Sequence, residues 1–402
     1  MGRNSDVTQG GVTFDELGLI RNGAILTEGD RIVALGPEKD IARKVPPDAV
    51  ELDVRDCVVV PGFIDAHSHP LFAGDREADF DARIRGESPP QGMLHTVRLT
   101  REALRDPAEF YEAIVGPRLR MMLAHGTTAL EVKTGYALTV DGEMALLDLI
   151  AAHRNDPDTP RLVSTFLGAH MVPPEFDSAD HYLDVLVADA LPEVRGHGAA
   201  YADIFCEPGF FTVEQSRRYL IEAKRHGLLA RIHVDEMSPG GGAVMAASLG
   251  VEAMDHCNFL SPAQALDVAH STIVVSCPAT IAFLEIPKRP PAREILDVGG
   301  AIALASDFNP GTSPCFNLQT VAYYGRKLLG LTAAEALYGV TRAAARSTHA
   351  SSQGGLGALW AGDCFADFVA LEMDDPREFG WYFGGNMAKL VVKGGAVVGV
   401  TR

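Results

Sequence analysis

The segment CVVVPGFIDAHSH, residues 57–69, is an apolar run rich in β-branched residues that ends in two histidines. Similar runs follow it, each separated from the next by a helical or irregular stretch. They occupy residues 127–134, 162–170, 201–207, 229–236, 253–257, 272–279 and 301–307. Apolar strands that alternate with helices form parallel sheets buried on both faces. Eight of them over about 250 positions predict an α/β fold, a closed (β/α)8 barrel.

Short β-rich runs with turn signals stand outside the barrel runs at both ends of the chain. Residues 17–60 resemble an antiparallel unit, and residues 367–371, 389–393 and 396–401 give further short runs around Gly394-Gly395. We expect the two ends to pair into one small accessory β domain. The predicted limits are 1–58 and 351–402 for its two parts and 59–350 for the barrel.

Composition excludes several classes of partner. The 402 residues carry 35 basic and 53 acidic side chains, and the net charge of -18 repels nucleic acid and anionic membranes. The six cysteines show no C-x-x-C pairing, which argues against a disulfide framework. No run of about 18 apolar residues and no signal peptide is present. We therefore expect a cytoplasmic protein with no nucleic-acid or membrane partner, either a monomer or a homodimer.

Two histidines at the end of the first run indicate a metal site. His67 and His69 are two residues apart on a strand, so their imidazoles point to the same side. His233 closes the fifth run and Asp307 closes the eighth. An isolated H-x-H is more often a pair of polar residues at a strand end. Together the four side chains make a nitrogen-rich site for one divalent ion, zinc or iron, with room for water.

Two further residues at the strand ends suit hydrolysis. A water molecule on such an ion has a pKa of roughly 7 and supplies a hydroxide nucleophile at neutral pH. Glu236 lies three residues beyond His233, where a carboxylate can carry a proton to a leaving nitrogen. His256 ends the sixth run and can stabilise charge on an attacked carbonyl. Each could instead be a structural residue with satisfied hydrogen bonds.

Longer strings give these positions a family context. In chain order they are PGFIDAHSHPLFAGDREADF, HGTTALEVKTGYAL, LGAHMVPPE, FTVEQSRRYL and LASDFNPGTSP. With them the chain resembles the imidazolonepropionase family of the amidohydrolase superfamily over nearly its whole length. The resemblance implies hydrolysis of 4-imidazolone-5-propanoate to N-formimidoyl-L-glutamate in histidine degradation. It also implies roles for the following residues: His67, His69, His233 and Asp307 as metal ligands, and Glu236, His256 and Asp307 in catalysis.

The same resemblance implies a small-molecule substrate with a carboxylate. Arg76 suits that carboxylate because a guanidinium offers two parallel donors, although a solvated surface arginine is the alternative. The other implied substrate contacts are Tyr136, His170, Asn309, Gly311 and Thr312. For the last three, a turn that merely ends the eighth strand is a serious alternative. Some amidohydrolases bridge two ions with a lysine on the fourth strand, but Lys133 ends the second run, so we expect one ion and an ion-pairing or site-lining lysine.

Three segments depart from the family pattern. The loop RGESPPQGMLHTV after Arg76 is shorter and lacks a tyrosine, VVSCPATIAF places Cys277 near the expected pocket, and GGNM occupies residues 384–387. These changes leave open a related enzyme for a propionate-bearing hydantoin or thiohydantoin ring, or a heterocycle deaminase. A catalytically inactive assembly protein is a further alternative, although such proteins usually lack metal ligands and none is missing here.

Overall fold

The computed structural model describes residues 11–349, 355–362 and 364–400. Its strands, in chain order, are β1 (Gly23–Glu28), β2 (Arg31–Pro37), β3 (Val58–Pro61), β4 (Phe63–Asp65), β5 (Thr127–Lys133), β6 (Arg161–Ala169), β7 (Tyr201–Cys206), β8 (Leu229–Val234), β9 (Ala253–His256), β10 (Ile273–Ser276), β11 (Ile302–Leu304), β12 (Phe368–Leu371), β13 (Ala388–Lys393) and β14 (Ala396–Val400).

Helices follow most of the barrel strands. They are α1 (Glu38–Ile41), α2 (Glu77–Ile84), α3 (Gly92–Ala103), α4 (Pro107–Phe110), α5 (Gly116–Ala124), α6 (Val140–Ala152), α7 (Ala179–Val185), α8 (Val213–Arg225), α9 (Gly242–Leu249), α10 (Pro262–Ala269), α11 (Pro278–Phe283), α12 (Ala292–Asp297), α13 (Leu318–Leu329), α14 (Ala333–Tyr338) and α15 (Ala344–Ser347). Three π-helical segments, Tyr111–Val115, Leu186–Ala190 and Gly339–Ala343, extend neighbouring helices, and 3₁₀ turns lie at Ala42–Lys44 and Pro376–Glu378.

Strands β4 to β11 form one parallel sheet in sequence order, and the sheet curls until its two edges meet. The backbone N–H of Asp307 donates to the carbonyl of His67 at 2.9 Å, and that of His69 donates to Phe308 at 2.9 Å. These bonds join the segments after β11 and β4, so the barrel is closed at its carboxyl end. The predicted (β/α)8 fold is confirmed.

Burial of both strand faces explains why these runs become barrel strands. Every residue of β5 and of β7 is buried, as expected where side chains alternate between the barrel interior and the surrounding helices. Helix α8 covers part of the outside. Its first turn is fixed by a reciprocal capping box between Thr212 and Gln215, and its buried face includes Tyr219 and Leu220.

The two ends of the chain meet in a small antiparallel sheet, as expected. Strand β3 pairs with β12, with Val60 opposite Val369, and β13 and β14 complete the sheet. The β1–β2 hairpin lies beside it, because the N–H of Ile32 donates to the carbonyl of Cys364 at 3.1 Å. The accessory β element from both termini is therefore present. The limits 1–58, 59–350 and 351–402 stay a prediction, since residues 1–10, 350–354, 363, 401 and 402 lie outside the described residues.

The opening run of residues 57–69 differs from the single strand that its pattern predicts. It contains two strands, β3 in the accessory sheet and β4 in the barrel, separated at Gly62. The N–H of Gly62 donates to the carbonyl of Asp367 at 2.9 Å, and a side chain at this position would collide with Thr128. One short segment thus ties the accessory sheet to the barrel directly before His67.

None of the helices in the described part of the chain has the length and apolar character needed to cross a membrane.

Candidate metal centre and active site

Four polar side chains meet at the carboxyl end of the barrel. His67 and His69 follow β4, His233 lies in β8, and Asp307 follows β11. The Nε2 atom of His69 lies 3.1 Å from Nε2 of His67 and 3.4 Å from Nε2 of His233. The Oδ1 atom of Asp307 lies 3.4 Å from Nε2 of His67 and 3.5 Å from Nε2 of His69. All four residues are buried, so the predicted ligands are brought together.

These separations match the distances between the ligand atoms of a tetrahedral metal site. In a zinc site with bonds of about 2.0–2.1 Å to nitrogen and oxygen, neighbouring ligand atoms lie about 3.4 Å apart. Three imidazole nitrogens and a carboxylate oxygen also form a donor set that zinc and ferrous iron both accept. The residues present therefore fit a divalent metal ion.

Buried carboxylates contact the outer nitrogens of two of these imidazoles. The Nδ1 atom of His67 lies 2.9 Å from Oδ2 of Asp255, and Nδ1 of His233 lies 3.0 Å from Oδ2 of Asp203. A carboxylate beside Nδ1 keeps the ring proton on that side and leaves the Nε2 lone pair for a metal ion. Asp203 and Asp255 thus fix the orientation of two predicted ligands.

A lysine connects these carboxylates inside the barrel. The Nζ atom of Lys133 lies 2.9 Å from Glu131, 2.7 Å from Asp203 and 3.1 Å from Asp255. Arg231 contacts the other oxygen of Asp255 at 2.7 Å. Burial lowers the pKa of Lys133, but the three carboxylates outweigh burial and hold it above the usual value. Lys133 is therefore a charged ion-pairing residue beneath the cluster.

Asp307 is held by neighbours on both of its carboxylate oxygens. The hydroxyl of Thr280 donates to Oδ2 at 2.7 Å, and the amide of Asn309 donates to Oδ1 at 3.1 Å. Burial raises the pKa of Asp307, but hydrogen bonds from His67 and Thr280 outweigh burial and bring it down to about 2. The carboxylate is therefore ionised and oriented.

Glu236 and His256 lie next to this cluster. The Oε2 atom of Glu236 is 3.8 Å from Nε2 of His256, and both side chains are buried. Burial, together with the charges of Asp307 and Glu207, raises the pKa of Glu236 to about 8. Burial lowers the pKa of His256 to about 3, so its imidazole is neutral. A carboxyl group with a raised pKa beside a neutral imidazole is chemically able to transfer a proton.

Left-handed backbone conformations cluster at the same strand ends. The φ angles are 49° at Asp235, 71° at His256, 54° at Cys257 and 51° at Asp307. Residues other than glycine rarely adopt this backbone conformation, and such backbone strain concentrates at functional sites. The chain bends sharply after β8, β9 and β11, where it presents the polar groups described above.

Arg76 lies against the loop that follows Asp307. Its Nε atom donates to Oδ2 of buried Asp79 at 2.6 Å, and the arginine side chain is 12% exposed. A side chain at Gly311 would collide with the Arg76 guanidinium, so glycine permits this close approach. Arg83 donates to the carbonyl of Gly311 at 2.7 Å. Two arginines from one helical region therefore meet the loop after β11.

Two aromatic rings, those of Tyr136 and His170, lie near His69, one of the predicted metal ligands. The ring of His170 stacks on His69 with centroids 5.2 Å apart, and the ring of Tyr136 lies 6.1 Å from His69. The Nδ1 atom of His170 lies 3.0 Å from the carbonyl of Gly135. Burial lowers the pKa of His170 to about 3, so Nδ1 carries the only ring proton and donates it to that carbonyl.

The other three predicted contacts form a tight turn. The side-chain oxygen of Asn309 accepts hydrogen bonds from the backbone of Gly311 at 2.9 Å and of Thr312 at 2.8 Å. It also accepts one from the Thr312 hydroxyl at 3.0 Å. These bonds stabilise the turn. The Asn309 side chain therefore has a structural role in this loop.

Sequence reasoning missed the buried charged layer beneath the cluster. It comprises Glu131, Asp203, Arg231 and Asp255, which are all fully buried. One signal was available, because each of these residues is a charge inside an otherwise apolar strand. Charged groups are buried in this way only when they are paired.

Metal-dependent hydrolases of the amidohydrolase class share this architecture, and the chain is a protein of that class. It is 39% identical to the imidazolonepropionase of Chloroflexus aggregans, covering 96% of this chain and 93% of the relative. It is 38% identical to the imidazolonepropionase of Rubrobacter xylanophilus, with 96% and 94% covered. The chain belongs to the imidazolonepropionase family and is a hydrolase of cyclic amide C–N bonds.

Solved structures agree on the fold. 5-Methylcytosine deaminase from Klebsiella pneumoniae, liganded with 5-fluorocytosine, superposes with a TM-score of 0.71 over 94% of each chain. The two sequences are only 16% identical, so this likeness supports the architecture alone. No protein-family model matches the chain.

Proposed function

We propose that the protein hydrolyses 4-imidazolone-5-propanoate to N-formimidoyl-L-glutamate in histidine degradation. The observation that carries the proposal is the pairing of Glu236 with His256 beside the histidine and aspartate cluster, in a chain of this family. Water adds to the ring carbonyl carbon, the ring C–N bond breaks, and the nitrogen takes up a proton. The oxidation state of the substrate does not change.

The proposed cofactor is one divalent ion, zinc or iron, held by His67, His69, His233 and Asp307. When bound, the ion supplies acidification of water and polarisation of the ring carbonyl. Asp255 and Asp203 keep the imidazoles of His67 and His233 in the tautomer that leaves Nε2 free. Buried donors at separations of 3.1–3.5 Å support this assignment.

Glu236 is the proposed proton carrier. Its raised pKa suits a group that accepts a proton from water and returns it to the leaving nitrogen. His256 lies 3.8 Å from Glu236, with Nε2 on the carboxylate side, and can stabilise charge that develops on the carbonyl oxygen. Asp307 can accept a proton from the same water, since it is an ionised carboxylate within the ligand set.

Arg76 is the proposed partner of the substrate propionate. Its Nε is bound to Asp79, which orients the guanidinium and leaves its terminal nitrogens for a ligand. Tyr136 and His170 are proposed to contact the ring or the carboxylate, and their rings lie against His69. The remaining proposed contacts, from the loop after β11, are Asn309, Gly311 and Thr312.

Direct turnover tests the proposal. The purified enzyme is assayed with freshly generated imidazolone propanoate beside a hydantoin propionate and its thiohydantoin analogue, at equal concentrations. We expect the highest kcat/KM with the imidazolone. A higher kcat/KM with either analogue would assign the enzyme to a modified ring, in keeping with the shortened loop after Arg76. Release of ammonia from a neutral heterocycle instead of ring opening would make it a deaminase.

The proposed setting is the cytoplasm, because the six cysteines show no C-x-x-C pairing. The homodimer and the limits of the three chain segments stay predictions. Light scattering of the purified protein measures its oligomeric state. Limited proteolysis tests the predicted limits of the segments, including the one at residue 350.

A further inference from the structure

A cysteine lies beside Asp307 of the predicted metal cluster and His256, the neighbour of Glu236. Cys277 follows β10, precedes α11 and is 1% exposed. Its Sγ atom, a ring nitrogen of His256 and a carboxylate oxygen of Asp307 all lie within 4.8 Å of one another. Three potential metal ligands from the ends of three consecutive strands therefore lie close together.

Hydrogen bonds within the fold leave one of these polar groups without a partner. The Nδ1 atom of His256 is buried and has no hydrogen-bond partner among the described residues. A buried polar atom without a partner costs about 1–3 kcal/mol, so it calls for a ligand. A cation bound here would give this nitrogen a partner.

We propose that His256, Cys277 and Asp307 form a second divalent-metal site, which takes thiophilic ions such as zinc. Asp307 is shared between the two sites, because its Oδ1 faces His67 and His69, and one of its carboxylate oxygens lies within 4.8 Å of the ligand atoms of His256 and Cys277. Carboxylates shared between two ions about 3.5–4 Å apart are known from two-metal enzymes. A thiolate ligand favours zinc over magnesium or calcium.

Binding of an ion at this site releases one proton and involves no change of oxidation state. The Cys277 thiol loses its proton to solvent, a bond forms between sulfur and the ion, and no electron is transferred. With three protein ligands against four, the second site is weaker than the first. It fills only when the ion is in excess, so the resting enzyme holds one ion.

The second ion inhibits the enzyme. It occupies the histidine and the aspartate that ring opening requires, and this consequence rests on the proposed function. Zinc in excess over the first equivalent therefore lowers turnover, and a chelator that removes only the weaker ion restores it.

Cobalt spectroscopy tests the site without any activity assay. The full-length protein is loaded with one equivalent of zinc and titrated with Co²⁺ while ions per chain are counted by equilibrium dialysis. We expect a second ion to bind with near-ultraviolet thiolate-to-cobalt charge-transfer absorption. Cys277→Ser should retain the first zinc but show neither the second ion nor the band. Cys364→Ser, a buried cysteine in the accessory region, should behave as the unaltered protein does.

Several results would overturn the proposal. Binding of a single ion by the unaltered protein would exclude the site, and a charge-transfer band that persists in Cys277→Ser would assign the thiolate elsewhere. Retention of the first zinc shows that Cys277→Ser is folded, and Cys277→Ala provides a second variant if it is not. Zinc inhibition that survives in both variants would contradict the inhibitory role. If imidazolone is not turned over, the proposed function fails while the cobalt band still decides the second site.

Discussion

The Oδ2 atom of Asp255 lies 2.9 Å from the Nδ1 atom of His67, and both residues are fully buried. The other oxygen of Asp255 is bound to Arg231 at 2.7 Å. Arg231 thus fixes the orientation of Asp255, and Asp255 in turn orients His67, a predicted metal ligand. A carboxylate in this position raises the basicity of the imidazole and selects its tautomer.

Asp255→Asn should weaken metal binding by about 10–100-fold, because an amide cannot stabilise the positive charge that His67 gains on coordination. Competition with a chromogenic chelator measures the affinity. Asp148→Asn is the matched control, since Asp148 pairs with Nδ1 of His197 at 2.7 Å on the surface. Equal affinities for the two variants would show that Asp255 does not act on the metal site.

Lys133→Met should destabilise the protein by about 3–5 kcal/mol, because it leaves three buried carboxylates without their shared cation. Urea unfolding of the metal-loaded proteins measures the free energy of unfolding. Lys288→Met, at an exposed position, is the control. A loss as small as that of the control would mean that the carboxylates are protonated or rearranged in the variant.

Glu236→Gln should retain its metal ion and lose about 100-fold or more in kcat, because the amide cannot carry the proton to the leaving nitrogen. Metal analysis and steady-state kinetics on the same sample measure both quantities. Glu285→Gln, at an exposed position, serves for comparison. Near-normal kcat in Glu236→Gln would remove this residue from the mechanism.

Arg76→Ala should raise KM for a propionate-bearing substrate by about 10–100-fold, because a charged hydrogen bond contributes about 1.5–3 kcal/mol. The metal content should not change, since Arg76 contacts Asp79 and the Gly311 loop but none of the ligands. Arg98→Ala, on the surface, controls for loss of a positive charge. An unchanged KM would indicate a neutral substrate.

The accessory sheet should respond to pH through Lys393. Its ammonium donates to the carbonyl of Thr159 at 2.6 Å, and burial lowers the pKa of Lys393 from 10.5 to about 8. The unfolded chain therefore binds more protons between pH 8 and 10.5, so this residue's contribution to stability rises with pH across that range and falls toward pH 8. The difference in unfolding free energy between the unaltered protein and Lys393→Met should change in this direction. A difference independent of pH would mean that Lys393 keeps its ordinary pKa when folded.

Much of the fold follows from local pattern. The apolar runs predicted each barrel strand, and the H-x-H spacing placed His67 and His69 on one side because side chains alternate along an extended chain. The turn signals at both ends of the chain predicted the accessory β element. Only the first run differed, since the close approach of Gly62 to Thr128 that divides it involves residues far apart in sequence.

The sequence by itself determined the barrel, the order of its strands and the residue types at their carboxyl ends. Tertiary structure alone decided which partner each buried charge contacts. Lys133 ends a strand as His233 nearly does, yet it binds Asp203 and Asp255 beneath the cluster, while His233 lies beside His69. The physical reason is closure of the barrel, which sets strands from distant parts of the sequence side by side and fixes which side chain each buried charge can pair with.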